Sequence, residues 1–373
     1  MSRRVVVTGM SGVTAFGNNW AEILPKLKAC ENAVQFMKSY VQYDGLNTKL
    51  AAPILHFELP KHYTRKQTRS MGRVSQMATL ASENALLQSG LVSENGHKHE
   101  TLTNGQTGVA YGSSIGSTSA VGAFGVMLND KSTRAITATT YVQMMPHTAA
   151  VNVGLFFGLR GRVIPTSSAC TSGSQAIGYS YEAIKHGYQT IMVAGGAEEL
   201  CPTESAVFDT LFATSLKNDA PKTTPRPYDT DRDGLVIGEG AGTLILEEYE
   251  HAIARGATIY AEIIGFASNC DAAHITQPQM ENMQHCMELA LKDANIPASQ
   301  IDYVSAHGTA TDRGDIAESH ATANLFGNQT PISSLKSYFG HTLGACGAVE
   351  AWLSLEMMRT GWFSPTLNLD NIG

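Results

Sequence analysis

The sequence predicts an α/β fold built from two similar halves, and three observations carry that prediction. Short apolar runs that end in glycines, such as Val5–Val13, Thr107–Ser117 and Thr190–Glu199, alternate along the chain with segments of helical periodicity. Hydrophobic residues make up 43% of the 373 residues, enough for a sizeable core. Two stretches also echo one another: Ile164–Ala176 and Ile332–Ala348 both read as strand, Ser-rich turn, reactive side chain and small-residue helix. The alternation itself points to largely parallel sheets.

Taken in order, Val5–Val13 is a strand running into a glycine turn. Gly9 and Gly12 do not complete G-x-G-x-x-G, and no acidic residue closes a second strand, so a dinucleotide site is not expected. Residues 73–90 place Met77, Leu80, Ala81 and Leu87 on one helical face, with Gly90 as the cap. Thr107–Ser117 is a strand followed by a Gly/Ser loop, and 117–143 reads as irregular or partly helical cover. Asp229, Asp231 and Asp233 imitate a calcium loop, but its twelfth position is Gly240 and no helix precedes it, so calcium is not expected. A strand over Gly238–Glu248 and a helical linker at 248–256 end a first half, 1–250. The second, 251–373, starts its own elements at Ile259. Gly344, Ala345, Gly347 and Ala348 lower helix propensity unless close packing compensates, so this helix is expected to lie against the one after Cys170.

Composition excludes several classes. The net charge of −7 and the lack of an aromatic-interleaved basic stripe argue against nucleic acid. No segment is apolar for the length of a bilayer, and Met1 leads at once into a strand rather than a signal peptide. Six scattered cysteines form neither a disulfide framework nor a zinc motif, which points to a reducing cytosol. One basic run, Arg65, Lys66, Arg69 and Arg73, stands out against the acidic whole.

The chemistry gathers in three places. Cys170 follows turn residues Thr166–Ser168 and precedes a helical pattern at Ala176, Ile177, Tyr181 and Ile184. A helix N-terminus there would lower the thiol pKa and arm the sulfur. His307 is delivered by an apolar strand into a glycine loop, and Lys336 and His341 lie in the later strand-to-helix turn. A cysteine with two imidazoles suits acyl transfer in which a thioester reacts and an enolate or oxyanion needs neutral N–H donors. No metal is called for.

Ser168–Gly173, Ala306–Thr311, Gly314–Glu318 and Leu335–Ala345, with Arg226–Asp229 and Gly238–Gly242, closely resemble the elongating Cys-His-His type of β-ketoacyl-acyl carrier protein synthases. The resemblance runs from Val5 to the last residue, and within the family the chain is most similar to ketosynthases of aryl polyene pathways. It implies the thiolase-like fold, two duplicated halves in five layers (αβαβα). It also implies a cytoplasmic dimer, either a homodimer or a heterodimer with a ketosynthase-like subunit. Cys170 would take an acyl chain from acyl carrier protein, and His307 and His341 would stabilise the enolate left as malonyl-carrier protein loses CO2. Lys336 matches the active-site lysine and Glu318 its buried acid, the pair holding the histidine loop. Thr309 and Thr311 match pantetheine-binding positions, Asp271 and His274 an entrance loop, and Ile115 a gate to the acyl pocket. Arg65, Lys66, Arg69 and Lys217 match docking positions for the acidic carrier protein. No cofactor is implied, the substrates being carried on phosphopantetheine of the carrier.

Two departures accompany the match. Met145-Pro-His147 stands where the family has Pro-Asn, near the dimer-side pocket. The family also continues for a few tens of residues past Gly373 into a glycine-rich Phe loop that supplies a gate and one oxyanion N–H. The alternative from another class is a non-catalytic partner subunit of the chain-length-factor type, which lacks the cysteine.

Overall fold

A computed structural model describes residues 2–273 and 277–373. Its first half runs through β1 (Val5–Val13), α1 (Trp20–Lys28), a hairpin of β2 (Gln35–Phe36) and β3 (Leu50–Ala51), α2 (Arg65–Thr68) and α3 (Arg73–Gln88). It continues with β4 (Thr107–Gly112), α4 (Thr118–Asp130), α5 (Thr140–Met144), α6 (Thr148–Phe157), β5 (Val163–Thr166), α7 (Ser172–Lys185) and β6 (Ile191–Glu198). Then come α8 (Pro202–Thr210), β7 (Gly240–Glu248) and α9 (Tyr249–Ala254). The remainder is β8 (Ala261–Ile263), α10 (Met280–Ala294), β9 (Val304–Ser305), α11 (Asp312–Phe326), β10 (Ile332–Ser333), α12 (Lys336–Phe339) and α13 (Cys346–Thr360).

The main sheet has the order β5-β4-β6-β7-β1-β8. Only β4, β5 and β6 are parallel; β7 runs antiparallel to both β6 and β1, and β8 antiparallel to β1. The sheet is therefore mixed, not largely parallel. Every residue of β1, β4 and β6 is buried. A strand covered on both faces reads as a continuous apolar run whichever way its neighbour points, so the sequence carried no direction signal.

One face packs α3 and α6 through Val74, Met77, Leu86, Val153 and Phe157. The other packs α7 and α13 through Tyr181, Ile184, Val349 and Trp352. The predicted face of α3 holds at Met77, Leu80 and Ala81, but Leu86 is buried where Leu87 is only half-buried. Gly9 and Gly12 lie inside β1, not in a turn. A methyl at Gly9 would sit 2.3 Å from the Ala85 carbonyl of α3, and one at Gly12 2.3 Å from the Trp352 ring, so close packing explains both.

Beyond α7 and α13 lie the β9–β10 parallel ladder and helices α10 and α11, which pack on each other. The segment after β8 passes between layers: Phe266 covers Gly178 of α7, and Gly265 lies under Ala290 and Ala294 of α10. This is the predicted five-layer stack. The strand expected to open the second half begins by pairing with β1 of the first, over Val5–Val7. Residues 117–143, read as partly helical, carry the thirteen-residue α4. Among the described residues no helix is long and apolar enough to cross a membrane, and all six cysteines are free.

Candidate active site

The loop from β5 to α7 places Cys170 two residues before the first helical residue, Ser172. Ala169 takes a left-handed φ of 53°, a costly conformation for a residue with a Cβ, so the turn is sharp. Local bonds hold it: Ser168 N–H donates to Ser172 Oγ at 2.9 Å, and Ser172 Oγ donates to the Ala169 carbonyl at 2.7 Å. The α7 and α13 helices meet as predicted, a methyl at Gly173 falling 2.9 Å from Ala348 N.

His341 does not lie directly in a strand-to-helix turn, because the short helix α12 intervenes after β10; it follows α12 and is stapled on both sides. Its N–H donates to Val236 O at 2.7 Å, and its carbonyl accepts from Gly238 N–H at 2.9 Å, which explains the Gly238-Glu-Gly segment. Its Nε2 lies 3.0 Å from Cys170 Sγ. Leu343 N–H donates to Nδ1 at 3.2 Å, so Nδ1 is the acceptor and the ring proton resides on Nε2, facing the sulfur.

The His307 loop is gripped by two carboxylates one helical turn apart on α11. Glu318 accepts from His307 N–H and Gly308 N–H, both at 2.7 Å; Asp315 accepts from Thr309 N–H at 3.0 Å and Ala310 N–H at 3.2 Å. Tyr228 adds its hydroxyl to Glu318 and its N–H to Asp315, both at 2.7 Å. The rings of His307 and His341 meet edge to face at 5.2 Å. Cys170 Sγ and one nitrogen of each histidine lie within 4.8 Å of one another.

Electrostatics correct one expectation. Burial pushes the Cys170 thiol up to about 11, against the Lys336 charge and its own backbone hydrogen bond. The dipole does not win, because Cys170 stands outside the first turn of α7 and its surroundings desolvate a thiolate. Burial, then the Lys336 charge, holds both imidazoles well below the ordinary value. His341 is buried and His307 exposed, so burial acts more fully on His341. Both rings are neutral at neutral pH, each with one N–H to give. Sulfur and two imidazole nitrogens are also a soft-metal donor set, but the Lys336 ammonium sets a like charge beside any dication.

Lys336 is 2% exposed, and its partner is Glu350 on α13, not Glu318. Burial works against its charge, yet the Glu350 carboxylate beside it outweighs burial and keeps the ammonium protonated. Glu318, expected to be buried, is half-buried and grips backbone instead. Sequence reasoning missed Asp315, Glu350 and Tyr228. Asp315 was within reach, standing i, i+3 to Glu318 on one helix face; Glu350 carried no signal, because its partner lies across a turn and a helix.

The remaining candidates scatter. Thr309 and Thr311 bond each other, Oγ1 to Oγ1, at 2.8 Å. Ile115 is half-buried; Asp271 is half-buried and accepts from Ala273 N–H at 3.1 Å, and His274 lies outside the described residues. Arg65, Lys66 and Arg69 are exposed with no acidic partner among the described residues, whereas Arg73 is withdrawn from the patch by a two-pronged pair with Glu239. Lys217 is spent on its own loop, donating to Asp231 O at 2.8 Å. Two of the three calcium-like acids are committed elsewhere: Asp229 pairs with Arg226 and accepts from Asp370 and Asn371 N–H, and Asp233 accepts from Ser215 Oγ and Leu216 N–H.

The β-ketoacyl synthase N-terminal domain matches residues 2–252, and the β-ketoacyl synthase C-terminal domain residues 260–370. The chain belongs to the β-ketoacyl synthase family. It is 38% identical to 3-oxoacyl-(acyl-carrier-protein) synthase 2 of Vibrio cholerae, over 99% of this chain and 89% of that one. A solved β-ketoacyl synthase from Burkholderia phymatum is 59% identical with a TM-score of 0.97, covering 99% of this chain and 90% of that one. A ketosynthase solved with a hexaketide and a type II polyketide acyl-carrier protein is 30% identical with a TM-score of 0.87, over 100% and 90% of the two chains. The fold is the thiolase-like fold of ketosynthases.

Proposed function

We propose that the chain joins an acyl group held on Cys170 to malonyl-acyl carrier protein by decarboxylating Claisen condensation, in fatty acid or polyene biosynthesis. The observation that carries this reading is the directed N–H of His341, 3.0 Å from Cys170 Sγ, with His307 in the same cluster. The resting sulfur is a thiol. As Sγ bonds to the acyl carbon and the carrier's C–S bond breaks, the thiol proton leaves with the departing pantetheine sulfur.

Malonyl-carrier protein then loses CO2, and the electron pair of the broken C–C bond becomes an enolate. Neutral N–H donors of His307 and His341 take up the oxygen's developing charge; an imidazole held neutral by burial and a nearby ammonium keeps that proton as a hydrogen-bond donor. The enolate carbon attacks the acyl-Cys170 carbonyl, the C–S bond breaks, and the leaving thiolate takes a proton from solvent water. The product is a β-ketoacyl thioester two carbons longer. Lys336 and Glu318 position this machinery; Thr309 and Thr311 hold the pantetheine arm, Asp271 its entrance, and Ile115 the acyl pocket.

Cys170→Ala is expected to abolish the acyl-enzyme seen by intact mass after incubation with acyl-carrier protein, and a labelled mutant refutes the assignment. A chain-length-factor role is disfavoured by the retained cysteine and both histidines.

Exposed Arg65, Lys66 and Arg69 fit an acidic carrier protein. Charge reversal there is expected to raise KM for carrier substrates and weaken its salt dependence while sparing kcat. Edge strand β5, with Val163 exposed, fits pairing with a second copy, and light scattering reports the dimer. The free cysteines suit a reducing cytosol. An aryl-primed polyene substrate is the finer reading, supported by sequence resemblance; a strong preference for saturated primers in condensation assays overturns it.

A further inference from the structure

We infer that Glu198, the last residue of β6, is a positioning residue that locks the acyl-pocket turn to the His341 turn and thereby fixes the tautomer of His341. Its side chain is fully buried, and no lysine, arginine or histidine pairs with it among the described residues. Such a carboxylate is costly to bury unless donors converge on it. Here they come from two distant segments. Ser113 Oγ donates at 2.7 Å and Ser114 N–H at 2.7 Å, with the Ser114 hydroxyl in contact as well. Gly344 N–H donates at 3.0 Å from the other side.

The consequence follows along each chain. Ser114 is gripped by backbone and hydroxyl together, and the next residue is Ile115, so the carboxylate sets where that side chain stands. Gly344 follows Leu343, whose N–H donates to His341 Nδ1 and directs the Nε2 proton at Cys170. Leu343 holds a left-handed φ of 47°, which a leucine does not adopt without restraint from its surroundings. Glu198 supplies that restraint. A methyl on Gly344 would come within 2.6 Å of Glu198 Oε2 and 2.7 Å of Ser114 N, so the junction admits no side chain.

This inference rests on the condensing-enzyme reading. The test compares Glu198→Ala, Glu198→Gln and Ser114→Ala with the parent chain, with rates normalised to the fraction of Cys170 acylated. Glutamine keeps an acceptor for Ser114 N–H and Gly344 N–H and turns its amide to Ser113 Oγ, so it is expected to retain most activity. Alanine is expected to lower condensation kcat at least ~10-fold with little change in carrier KM, and to shift the ratio of long to short acyl primers. Imidazole 15N spectra, with His341 assigned by its own mutant, are expected to show Nδ1 unprotonated in the parent and mixed tautomers in Glu198→Ala. If that variant does not fold, Ser114→Ala carries the test with a smaller effect of the same sign. Unchanged kcat, primer ratio and tautomer beside a lowered Tm overturn the inference. A parent chain that neither acylates Cys170 nor releases CO2 from malonyl-carrier protein overturns the underlying reading instead.

Discussion

The turn that carries Cys170 and the turn that carries His341 each lead into a small-residue helix, α7 and α13, but the first follows strand β5 and the second follows the short helix α12, and they are held in different ways. The cysteine turn is closed largely by its own residues, Ser168, Ala169 and Ser172, beside an edge strand, and Cys170 as a residue is half-buried. The histidine turn is buried and held mainly from outside, by Val236 and Gly238 on its backbone and Glu198 through Gly344, with its own Leu343 N–H on the ring. The His307 loop follows the second pattern, with Glu318 and Asp315 taking four consecutive N–H groups. A nucleophile must admit a carrier-borne thioester and then let it go. The enolate-binding groups need fixed direction more than access, and distant contacts provide that.

The comparison can be broken at several points. The largest effect belongs to His341→Ala: loss of a directed N–H is expected to lower condensation ~100- to 1,000-fold while acylation of Cys170 falls far less, read by separate single-turnover assays. Equal loss in both steps would make His341 a general base for the cysteine instead. Next is Lys336→Ala, which leaves the largely enclosed Glu350 without its partner. It is expected to cost ~3–5 kcal/mol in denaturant unfolding, with partial recovery in Lys336→Met/Glu350→Leu. Glu318→Ala frees two backbone N–H groups and is expected to cost ~1–3 kcal/mol and to impair decarboxylation more than acylation.

Smaller effects are read by pH. With the Cys170 thiol pushed up to about 11, its alkylation by iodoacetamide is expected to keep rising ~10-fold per pH unit beyond pH 9. A plateau near neutrality would restore the helix-dipole view. The histidines act on stability. Their folded values are depressed, so as pH falls below the ordinary 6.5 the unfolded chain takes protons that the folded chain refuses. Stability is then lost by up to ~1.4 kcal/mol per pH unit for buried His341, less for His307, and nothing is lost above that range. Unfolding curves at pH 7.5 and 5.5 check this, and a His341→Gln variant with an unchanged pH slope would refute it.

The sequence by itself determined the α/β alternation, the small-residue helices that follow Cys170 and His341, and the placement of Cys170 and His307 just past strand ends. Each is a matter of local pattern: apolar runs, glycine turns and small-residue helices are written in consecutive residues. The tertiary structure alone decided strand direction, because runs buried on both faces look the same either way. It also gave Lys336 its partner, Glu350, through a contact that no spacing announces. It reversed the expected shift at Cys170, since desolvation depends on what surrounds a sulfur and not on which helix follows it. The tautomer of His341 was likewise settled by a single amide two residues away, held in place by a carboxylate from another strand.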